Sequence, residues 1–420
     1  MLSDRPMDRS SPAAEQLSLF DAVVATYAER ERASNESLYR EVAARAGIPD
    51  AALKCRERIG RQLYNPTKRK IRWVQQTLKH MGLVERAGPG VWTLSAEGHR
   101  KLKLKRINAG HVMLAFSTDL GVALWADCAS AFSRLGDPIH LALTSPPYPL
   151  AKPRAYGNPS EGEFVDFICR ALEPIVKRLA PGGSLVLNVT NDVFERGLPS
   201  RSLYRERMVI ALHERLGLHK MDEIPWENLS KPPGPVQWAS KARNQLNTGW
   251  EPVYWFTNDP LRVGADNRRV LLPHTERHLK FLRSGGVKRD REYADGAHRQ
   301  RAGKSYSNLT AGRIPRNVLQ MGHRCALQST YKRDARASGL MAHGAPFPGR
   351  LVEFFIKFLT TEGDLVADPF GGSLTVPLMA EMLGRRWIAT EVIWDYLAGG
   401  ALRFDSHPTL APGFAACAAA

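Results

Sequence analysis

Apolar residues recur along the second part of the chain in two alternating patterns. Short, nearly continuous apolar runs predict buried strands, and longer stretches with apolar residues three and four positions apart predict helices. The predicted strands cover 121–125, a run that ends at Thr144, 184–189, 364–368 and 386–391. The predicted helices cover 129–135, 164–179 and 350–358. Such alternation is typical of an open parallel α/β sheet, which binds ligands beyond the carboxyl ends of its strands.

The first part of the chain has shorter elements. Helical spacing predicts helices at 37–46 and 68–81, and a glycine follows each of them. Two apolar runs, 83–86 and 91–94, flank a Gly-Pro-Gly turn and predict a hairpin, after which 95–98 opens a final helix. Two short helices followed by such a hairpin resemble a winged helix.

Length and composition exclude several classes of protein. The 420 residues, 43% of them hydrophobic, suffice for one large core with a smaller domain. No stretch approaches the roughly 18 unbroken apolar residues of a membrane-spanning helix, and the N-terminus lacks a signal pattern, so the cytoplasm is the expected location. The five cysteines include no Cys-x-x-Cys pair, so neither a disulfide framework nor a metal site is expected.

Positive charge is concentrated in two stretches of a chain whose net charge is +17. Residues 1–110 hold 21 Lys and Arg against 12 Asp and Glu, and residues 259–340 hold 18 against seven. This excess favours two surfaces that face nucleic acid, although a generally basic protein would also show it. The side chains expected to contact DNA are Lys68, Arg69, Lys70, Arg72, Arg268, Arg269, Lys288, Arg289, Arg299 and Arg301.

A carboxylate and two glycines follow the predicted strand 364–368. The segment 368–373 would bring bare backbone close to a bound cofactor, but it has neither the Lys of a P-loop nor the glycine spacing of a dinucleotide site. The next strand ends in Glu391, 23 positions after Asp368, near the offset at which a carboxylate meets ribose hydroxyls. A ribose without a pyrophosphate favours S-adenosylmethionine. A tight turn followed by an exposed Glu is the alternative.

A proline-rich tetrapeptide, Ser145-Pro-Pro-Tyr148, stands directly after the strand that ends at Thr144. Two prolines fix the backbone and remove two N–H groups, so the carbonyls of this turn project rigidly beside a hydroxyl and an aromatic ring. We expect Ser145 and the Pro146 carbonyl to accept hydrogen bonds from the exocyclic amino group of a base, and Tyr148 to stack on that base. The amino nitrogen would then attack the sulfonium methyl directly. A proline-rich turn without chemistry is the alternative.

The two motifs together closely resemble those of the amino-methylating DNA methyltransferases of the permuted, beta-class order. Three further segments, 181–188, 247–256 and 343–348, are similar to segments of that family and follow in family order. The resemblance covers roughly residues 119–400. It implies an S-adenosylmethionine-dependent, Rossmann-like α/β fold with a parallel-rich sheet and circularly permuted motifs, beside a small N-terminal winged helix.

The resemblance also implies roles for individual residues. The catalytic residues would be Ser145, Pro146, Pro147 and Tyr148. The cofactor-binding residues would be Asp127 at the adenine amino group, Glu391 at the ribose, and Asp368, Pro369, Phe370, Gly371, Gly372 and Ser373 in the glycine turn. One position departs from the family, because Leu374 stands where a second small residue is usual.

The first residue of the tetrapeptide indicates the base. Ser145 is characteristic of cytosine-N4 enzymes, whereas adenine-N6 members of the family more often have Asp or Asn there. We therefore expect methyl transfer to N4 of a cytosine flipped out of double-stranded DNA, in a restriction-modification system with a possible cognate endonuclease. Cytosine-C5 methylation is disfavoured because the chain has no Pro-Cys nucleophile. Adenine-N6 methylation, RNA amino-methylation and a catalytically inert DNA-binding regulator are the alternatives.

These assignments divide the chain into six predicted segments. They are an N-terminal tail (1–19), a winged-helix DNA-binding domain (20–110), the catalytic half of the methyltransferase core (111–258), a target-recognition insert (259–340), the cofactor half of the core (341–405) and a C-terminal tail (406–420).

Overall fold

The computed structural model describes residues 22–27, 30, 32–59, 62–80, 82–95, 98, 106–107, 109–150, 158–304, 308–404 and 409–410. The chain divides into two units, Met1–Arg106 and Ile107–Ala420. The division falls close to the boundary predicted at residue 110. Both predicted tails lie almost entirely outside the described residues.

The first unit consists of short helices and a small antiparallel sheet. After helical residues at 22–27, its elements are β1 Arg32–Ser34, α1 Asn35–Arg45, α2 Asp50–Lys54, β2 Glu57–Ile59, β3 Gln62–Tyr64, α3 Pro66–His80, β4 Val84–Gly88 and β5 Val91–Leu94. The sheet has the order β1-β5-β4, and β2 pairs with β3 in a separate hairpin. Both predicted helices and the β4–β5 hairpin are present. The β2–β3 hairpin was not predicted, because three-residue strands are too short to carry a pattern. The helix predicted to open at 95–98 lies largely outside the described residues.

Helix α3 shows how the sequence builds this unit. The side-chain carbonyl of Asn65 caps the helix by accepting a hydrogen bond from the backbone N–H of Lys68 at 2.7 Å. Ile71, Val74 and Leu78 are buried on one face, at the spacing of an amphipathic helix. That face packs in the core of the unit, so the basic residues of α3 are directed away from this core.

The second unit is organised around one large sheet. Its strands are β6 Val112–Ser117, β7 Gly121–Ala126, β8 Ile139–Thr144, β9 Leu179–Asn188, β10 His219–Glu227, β11 Trp250–Thr257, β12 Arg291–Glu292, β13 Arg299–Gln300, β14 Leu319–Gln320, β15 Leu365–Asp368, β16 Arg386–Glu391 and β17 Thr409–Leu410. The sheet order among the described residues is β14-β10-β11-β9-β8-β15-β16-β7-β6-β17, and β12 pairs only with β13. The five central strands, from β9 to β7, run parallel, which confirms the predicted parallel-rich α/β fold.

Helices cover both faces of this sheet. The helices of this unit are α4 Cys128–Phe132, α5 Phe164–Val176, α6 Tyr204–Leu216, α7 Glu276–Arg283, α8 Ala326–Ala337, α9 Gly349–Leu359, α10 Thr375–Met382 and α11 Trp394–Ala401. Helices α4, α5 and α6 of the catalytic half pack in one apolar core. Helices α9, α10 and α11 of the cofactor half pack in the other. Successive residues of the central strands supply the two cores alternately, as their pleat requires.

The predicted strand and helix positions agree with the structure except at their ends. The clearest difference is β9, which begins at Leu179 rather than Ser184. The Pro-Gly-Gly sequence at 181–183, which precedes the predicted strand 184–189, lies within β9, and Gly182 has a φ of +80°. A Cβ at Gly182 would lie 1.9 Å from the carbonyl oxygen of Arg262, so the close approach of another backbone segment requires glycine here.

The predicted insert 259–340 contains short elements rather than continuous irregular chain. They include a 3-10 turn Asn267–Val270, helices α7 and α8, and the small β12–β13 hairpin. Strand β14 joins the edge of the large sheet by pairing in parallel with β10. Residues 305–307 lie outside the described chain.

Candidate active site

The carboxyl ends of five parallel strands meet at one edge of the large sheet, which we call the active-site edge. Strands β9, β8, β15, β16 and β7 lie side by side in parallel register, so Asn188, Thr144, Asp368, Glu391 and Ala126 all end there. The predicted tetrapeptide 145–148, the glycine turn 368–373 and Asp127 directly follow three of these strands or include their last residue. The topology therefore brings the catalytic and cofactor motifs together, although more than 200 residues separate them in the chain.

A buried hydrogen bond joins the two motifs. The Thr144 hydroxyl donates to Asp368 Oδ1 at 2.7 Å, and both side chains are buried. The backbone N–H of Phe370 donates to the same oxygen at 3.2 Å. Burial raises the pKa of Asp368 to about 7, although the bonds from Thr144 and Phe370 act to lower it. None of the groups that shift this pKa is a cation, so the described residues supply no counter-charge to the carboxylate.

The tetrapeptide forms a partly exposed turn at the end of β8. Pro146 is buried, while Ser145, Pro147 and Tyr148 are half-buried. The Ser145 hydroxyl lies 3.4 Å from the Tyr148 hydroxyl, to which it can donate a weak hydrogen bond. The Asn158 side-chain amide donates to the Tyr148 carbonyl at 2.6 Å and holds the turn from the next described segment. The Ser145 hydroxyl and the Tyr148 side chain therefore lie next to each other, partly open to solvent.

The glycine turn is fixed by the strand beside it. The N–H of Gly371 donates to the Thr390 carbonyl at 2.8 Å, and the Thr390 hydroxyl donates to the Pro369 carbonyl at 2.7 Å. Glu391 Oε2 accepts from the Gly372 N–H at 2.9 Å, and its Oε1 accepts from the Ile393 N–H at 2.8 Å. The carboxylate predicted to bind ribose therefore also clamps the turn.

The structure explains how the turn accommodates Leu374. This residue adopts a left-handed conformation with φ +55°, which is unfavourable for a branched side chain. Its side chain is fully buried in the core of the cofactor half. A Cβ at Gly400 would lie 2.8 Å from two carbon atoms of Leu374, so α11 makes room for the larger side chain by having glycine there. Burial of Leu374 and the missing side chain at position 400 compensate for the departure from the family pattern.

Asp127 also lies at the active-site edge, at the start of α4. Its Oδ1 accepts from the Ser130 N–H at 2.9 Å, and its Oδ2 accepts from the Gly110 N–H at 3.3 Å. Burial acts to raise the pKa of Asp127, but the hydrogen bonds from Ser130 and Gly110 outweigh it and lower that pKa. The residue caps a helix, and its role at the cofactor adenine stays a prediction.

A cluster of ion pairs beside the tetrapeptide was missed by sequence reasoning. Lys231 Nζ lies 3.0 Å from Asp192 Oδ2 and 3.0 Å from Glu251 Oε1. The Thr248 hydroxyl donates to Asp192 Oδ1 at 2.5 Å, and Arg201 donates to that hydroxyl at 3.0 Å. Burial acts to raise the pKa of Asp192, but Thr248 and Lys231 outweigh it and lower that pKa. No local pattern could have found this cluster, because its members come from three separate segments.

Two further residues lie against the glycine turn. A Cβ at Gly372 would lie 3.3 Å from His343 Nε2, which places the imidazole beside the turn. Arg403 donates to the Ser373 carbonyl at 2.7 Å and to the Thr375 hydroxyl at 2.9 Å, and burial lowers its pKa to about 10. His343 stands in the segment 343–348 that resembles the family, whereas Arg403 gave no signal in the sequence.

Two of the predicted DNA contacts, Arg268 and Arg269, interact with other groups of the protein. The Arg269 guanidinium donates to the carbonyls of Thr360, at 2.6 Å, and of Phe358, at 3.1 Å, at the end of α9. Helix α9 leads into the start of β15, at the edge of the sheet opposite the active-site edge. Arg268 is paired with Asp266 at 2.7 Å in the same segment. Arg269 therefore caps a helix and Arg268 lies away from the active-site edge, and contact of these two residues with DNA stays a prediction.

The remaining predicted DNA contacts are exposed, with the exception of Lys68. Lys288, Arg289, Arg299 and Arg301 surround the β12–β13 hairpin, where Arg299 lies 3.6 Å from Glu292. In the first unit Arg69, Lys70 and Arg72 are exposed on α3. Lys68 is half-buried and pairs with Glu36 at 3.1 Å.

Neither a membrane segment nor a metal site was found in the part of the chain that the structure describes. Its helices are too short or too polar to cross a bilayer. Among the same residues, no three His, Cys, Asp or Glu side chains are grouped so that they could hold a metal ion.

Known proteins resemble both units. Residues 139–401 match the family described as DNA methylase, which comprises N6 and N4 methyltransferases, and residues 18–104 match the Mrr N-terminal domain. The type II methyltransferase M.PvuII of Proteus hauseri is 33% identical over 291 residues, which are 69% of this chain and 85% of that protein. M.BamHI of Bacillus amyloliquefaciens is 24% identical over 70% of this chain and 60% of its own length. The solved structure of the PvuII DNA methyltransferase (cytosine-N4-specific) matches with a TM-score of 0.55 at 30% identity, over 71% of this chain and 90% of that one.

The geometry fits the cofactor that the motifs predicted. S-adenosylmethionine carries a sulfonium and an ammonium, and Asp368 is a buried carboxylate beside which the described residues place no cation. Gly371 and Gly372 leave the turn beside it free of side chains. From the family match, the identity to M.PvuII and the order of motifs along one sheet edge, the chain belongs to the N6/N4 DNA methylase family and uses S-adenosylmethionine.

Proposed function

We propose that this protein methylates the N4 amino group of a cytosine in double-stranded DNA, as the modification enzyme of a restriction-modification system. The observation that carries the proposal is the turn Ser145–Tyr148, which one buried hydrogen bond connects to the cofactor turn through Thr144 and Asp368. Ser145 at the first motif position and the 30% identity to the cytosine-N4-specific PvuII enzyme both support the choice of base.

The chain's own groups would prepare the amino nitrogen for attack. Ser145 Oγ and the Pro146 carbonyl accept hydrogen bonds from the two amino hydrogens. These bonds hold the nitrogen in place and increase its electron density. Tyr148 stacks on the cytosine ring and keeps it in line with the cofactor. S-adenosylmethionine would supply an electrophilic methyl group on its sulfonium. As the new N–C bond forms, the S–C bond would break and S-adenosylhomocysteine would leave, and the methylated nitrogen would lose one proton to solvent.

Cofactor binding would rest on the residues that end or follow strands β15, β16 and β7 at the active-site edge. Asp368 faces the cationic methionine end, Glu391 accepts from the ribose hydroxyls, and Asp127 accepts from the adenine amino group. The residues Pro369, Phe370, Gly371, Gly372 and Ser373 line the turn with backbone. Because the turn is already held by Thr390 and Glu391, little reorganisation is needed on binding.

DNA contacts would come from exposed cations outside the sheet. Lys288, Arg289, Arg299 and Arg301 contact phosphates or base edges around the flipped cytosine, and Arg268 and Arg269 remain candidates in the same insert. The target base leaves the stack because its amino group is paired and covered in duplex DNA. The enzyme would act in the cytoplasm, and a cognate endonuclease would cleave the same site when it is unmodified.

The test is the identity of the methylated base. Purified protein is incubated with unmethylated plasmid and S-adenosylmethionine, and the nucleosides are identified by mass spectrometry. N4-methylcytosine is expected. N6-methyladenine would overturn the choice of base, methyl transfer to RNA alone would overturn the substrate, and the absence of any methylated base would favour an inert DNA-binding regulator.

A pair of serine variants links the product to the proposed site. Ser145→Ala should lower turnover roughly 100-fold, because it removes one acceptor that acts on the amino group. Ser338→Ala, at an exposed serine on the end of α8, should leave turnover unchanged. Equal turnover of the Ser145 variant and wild type would contradict the role of this turn.

A further inference from the structure

A groove on the first unit combines cations with exposed aromatic rings. It has a volume of about 1110 Å³ and lies between helix α3 and the β2–β3 hairpin, with residues of α1 and α2 completing its lining. Trp73 on α3 and Leu63 on β3 line it and are 56% and 62% exposed. Trp73 is directed away from the buried face of α3, which carries Ile71, Val74 and Leu78.

The charge of the groove is strongly positive. Its described lining includes Lys54, Arg56, Arg69 and Arg72, all exposed. Lys68 also lines it and pairs with Glu36, the one acidic residue among the described lining residues. No ion pair between described residues involves any of the four exposed cations. A polyanion is therefore the complementary partner.

The aromatic residues lie between these cations. Arg69, Arg72, Trp73 and Gln76 are spaced three and four positions apart, so they share one face of α3. The Arg69 guanidinium lies 5.8 Å from the centre of the Tyr64 ring across the groove. A ligand that fills the groove must therefore present both negative charge and flat apolar faces.

Nucleobases meet this requirement only when they are unstacked. In a duplex the faces of the bases are covered and only their edges reach the grooves, so an exposed tryptophan finds no ring face there. In single-stranded DNA every base offers a face to an aromatic side chain, while the phosphates follow a basic groove. We infer that this groove binds single-stranded DNA, with Trp73 stacked on a base. The inference differs from the duplex contact that the sequence led us to expect for α3, and it does not depend on methyl transfer.

The experiment uses the full-length protein without cofactor and measures anisotropy of labelled strands. The probe is an oligothymidylate of about 12 nucleotides, a length within the range of known single-strand sites, which contains no cytosine for the active site. An abasic strand of the same length and charge is compared with it. Wild-type protein should bind the thymidylate roughly tenfold more tightly than the abasic strand. Trp73→Ala should remove that difference, and Trp73→Phe should keep part of it.

Charge variants separate stacking from phosphate contact. The double variant Arg69→Ala, Arg72→Ala should weaken binding of both strands. Lys79→Ala removes a cation from the same helix outside the groove and should change neither affinity by more than about twofold. Equal affinity of wild-type protein for the two strands, an unchanged preference in Trp73→Ala, or a Trp73-dependent preference for duplex DNA or for RNA of the same length would each overturn the inference.

Discussion

Two groups of carboxylates at the same edge of the sheet have opposite electrostatic environments. On the cofactor side, burial raises the pKa of Asp368 to about 7, and its partners are a hydroxyl and a backbone N–H. On the base side, Asp192 and Glu251 share Lys231, and hydrogen bonding and charge lower the pKa of Asp192 despite its burial.

The difference indicates which carboxylate receives its positive partner from a bound ligand. A buried carboxylate without a cation is costly, and it gains most when a cationic ligand arrives. A carboxylate that already has a lysine has satisfied its charge within the protein, and its role is to hold segments together. We therefore interpret Asp368 as part of the cofactor site, and the cluster around Lys231 as a support for the loop beside the catalytic turn.

The largest expected effect comes from removing the charge of Asp368. Asp368→Asn keeps an acceptor for Thr144 but should weaken S-adenosylmethionine binding at least about 100-fold, because a buried counter-charge is lost. Tyr148→Ala should leave that affinity nearly unchanged and lower turnover instead. Calorimetry and steady-state kinetics measure the two effects. Equal losses of cofactor affinity in both variants would remove the distinction between the two sides of the site.

Loss of the shared lysine should act on stability. Lys231→Met leaves Glu251 without its cation and Asp192 with Arg201 alone, at 3.4 Å, in a site where Lys231, Asp192 and Glu251 are each less than one third exposed. We expect the free energy of unfolding to fall by about 2–3 kcal/mol, while cofactor affinity changes little. Lys177→Met breaks an exposed pair with Glu173 on a helix surface and should have little effect. Denaturant unfolding would contradict this interpretation if both variants behaved like wild type.

The cofactor side also depends on packing beneath its turn. Gly400→Ala would place a methyl group 2.8 Å from Leu374 and push the start of α10. We expect a loss of about 2 kcal/mol in unfolding free energy, as is usual for overpacked cores. Gly136→Ala serves as the control, since a Cβ there meets nothing within 4 Å. Wild-type stability in Gly400→Ala would mean that Leu374 does not lie against α11.

The smallest expected effect is a pH dependence of cofactor affinity. Since the pKa of Asp368 is about 7 in the cofactor-free protein, the carboxyl is protonated below that pH and no longer attracts a cation. Affinity should be about tenfold weaker at pH 6 than on the plateau above pH 8, and this step should be absent in Asp368→Asn. The stability of the cofactor-free protein should change with pH in the opposite direction. The contribution of a raised carboxyl pKa is full below about pH 4 and is lost as the pH rises to about 7.

Much of the site could be predicted because its motifs are local. The strand 386–391 was predicted with the bounds that the structure has, and two other strands end where predicted, at Thr144 and Asp368. Short apolar runs bounded by glycine or proline carry this information without any tertiary contact. The resemblance of these segments to a family, in family order, then identified the fold and the cofactor.

Other features depend on contacts between distant segments. Arg269 lies in the same basic stretch, 259–340, as the exposed cations of the insert. Only the tertiary structure shows that its guanidinium caps the end of α9. The Lys231 cluster combines three segments that share no pattern. The exposure of Trp73 depends on which face of α3 the rest of the first unit covers.

The sequence by itself therefore determined the order of strands and helices, the two motifs and the chemistry that they favour, because periodicity and turn residues act over a few positions. The tertiary structure decided which charges are neutralised, which carboxylate stays without a cation, and which aromatic ring meets solvent. Those properties follow from burial and from the distance between side chains, and both are set only when the sheet and its helices pack.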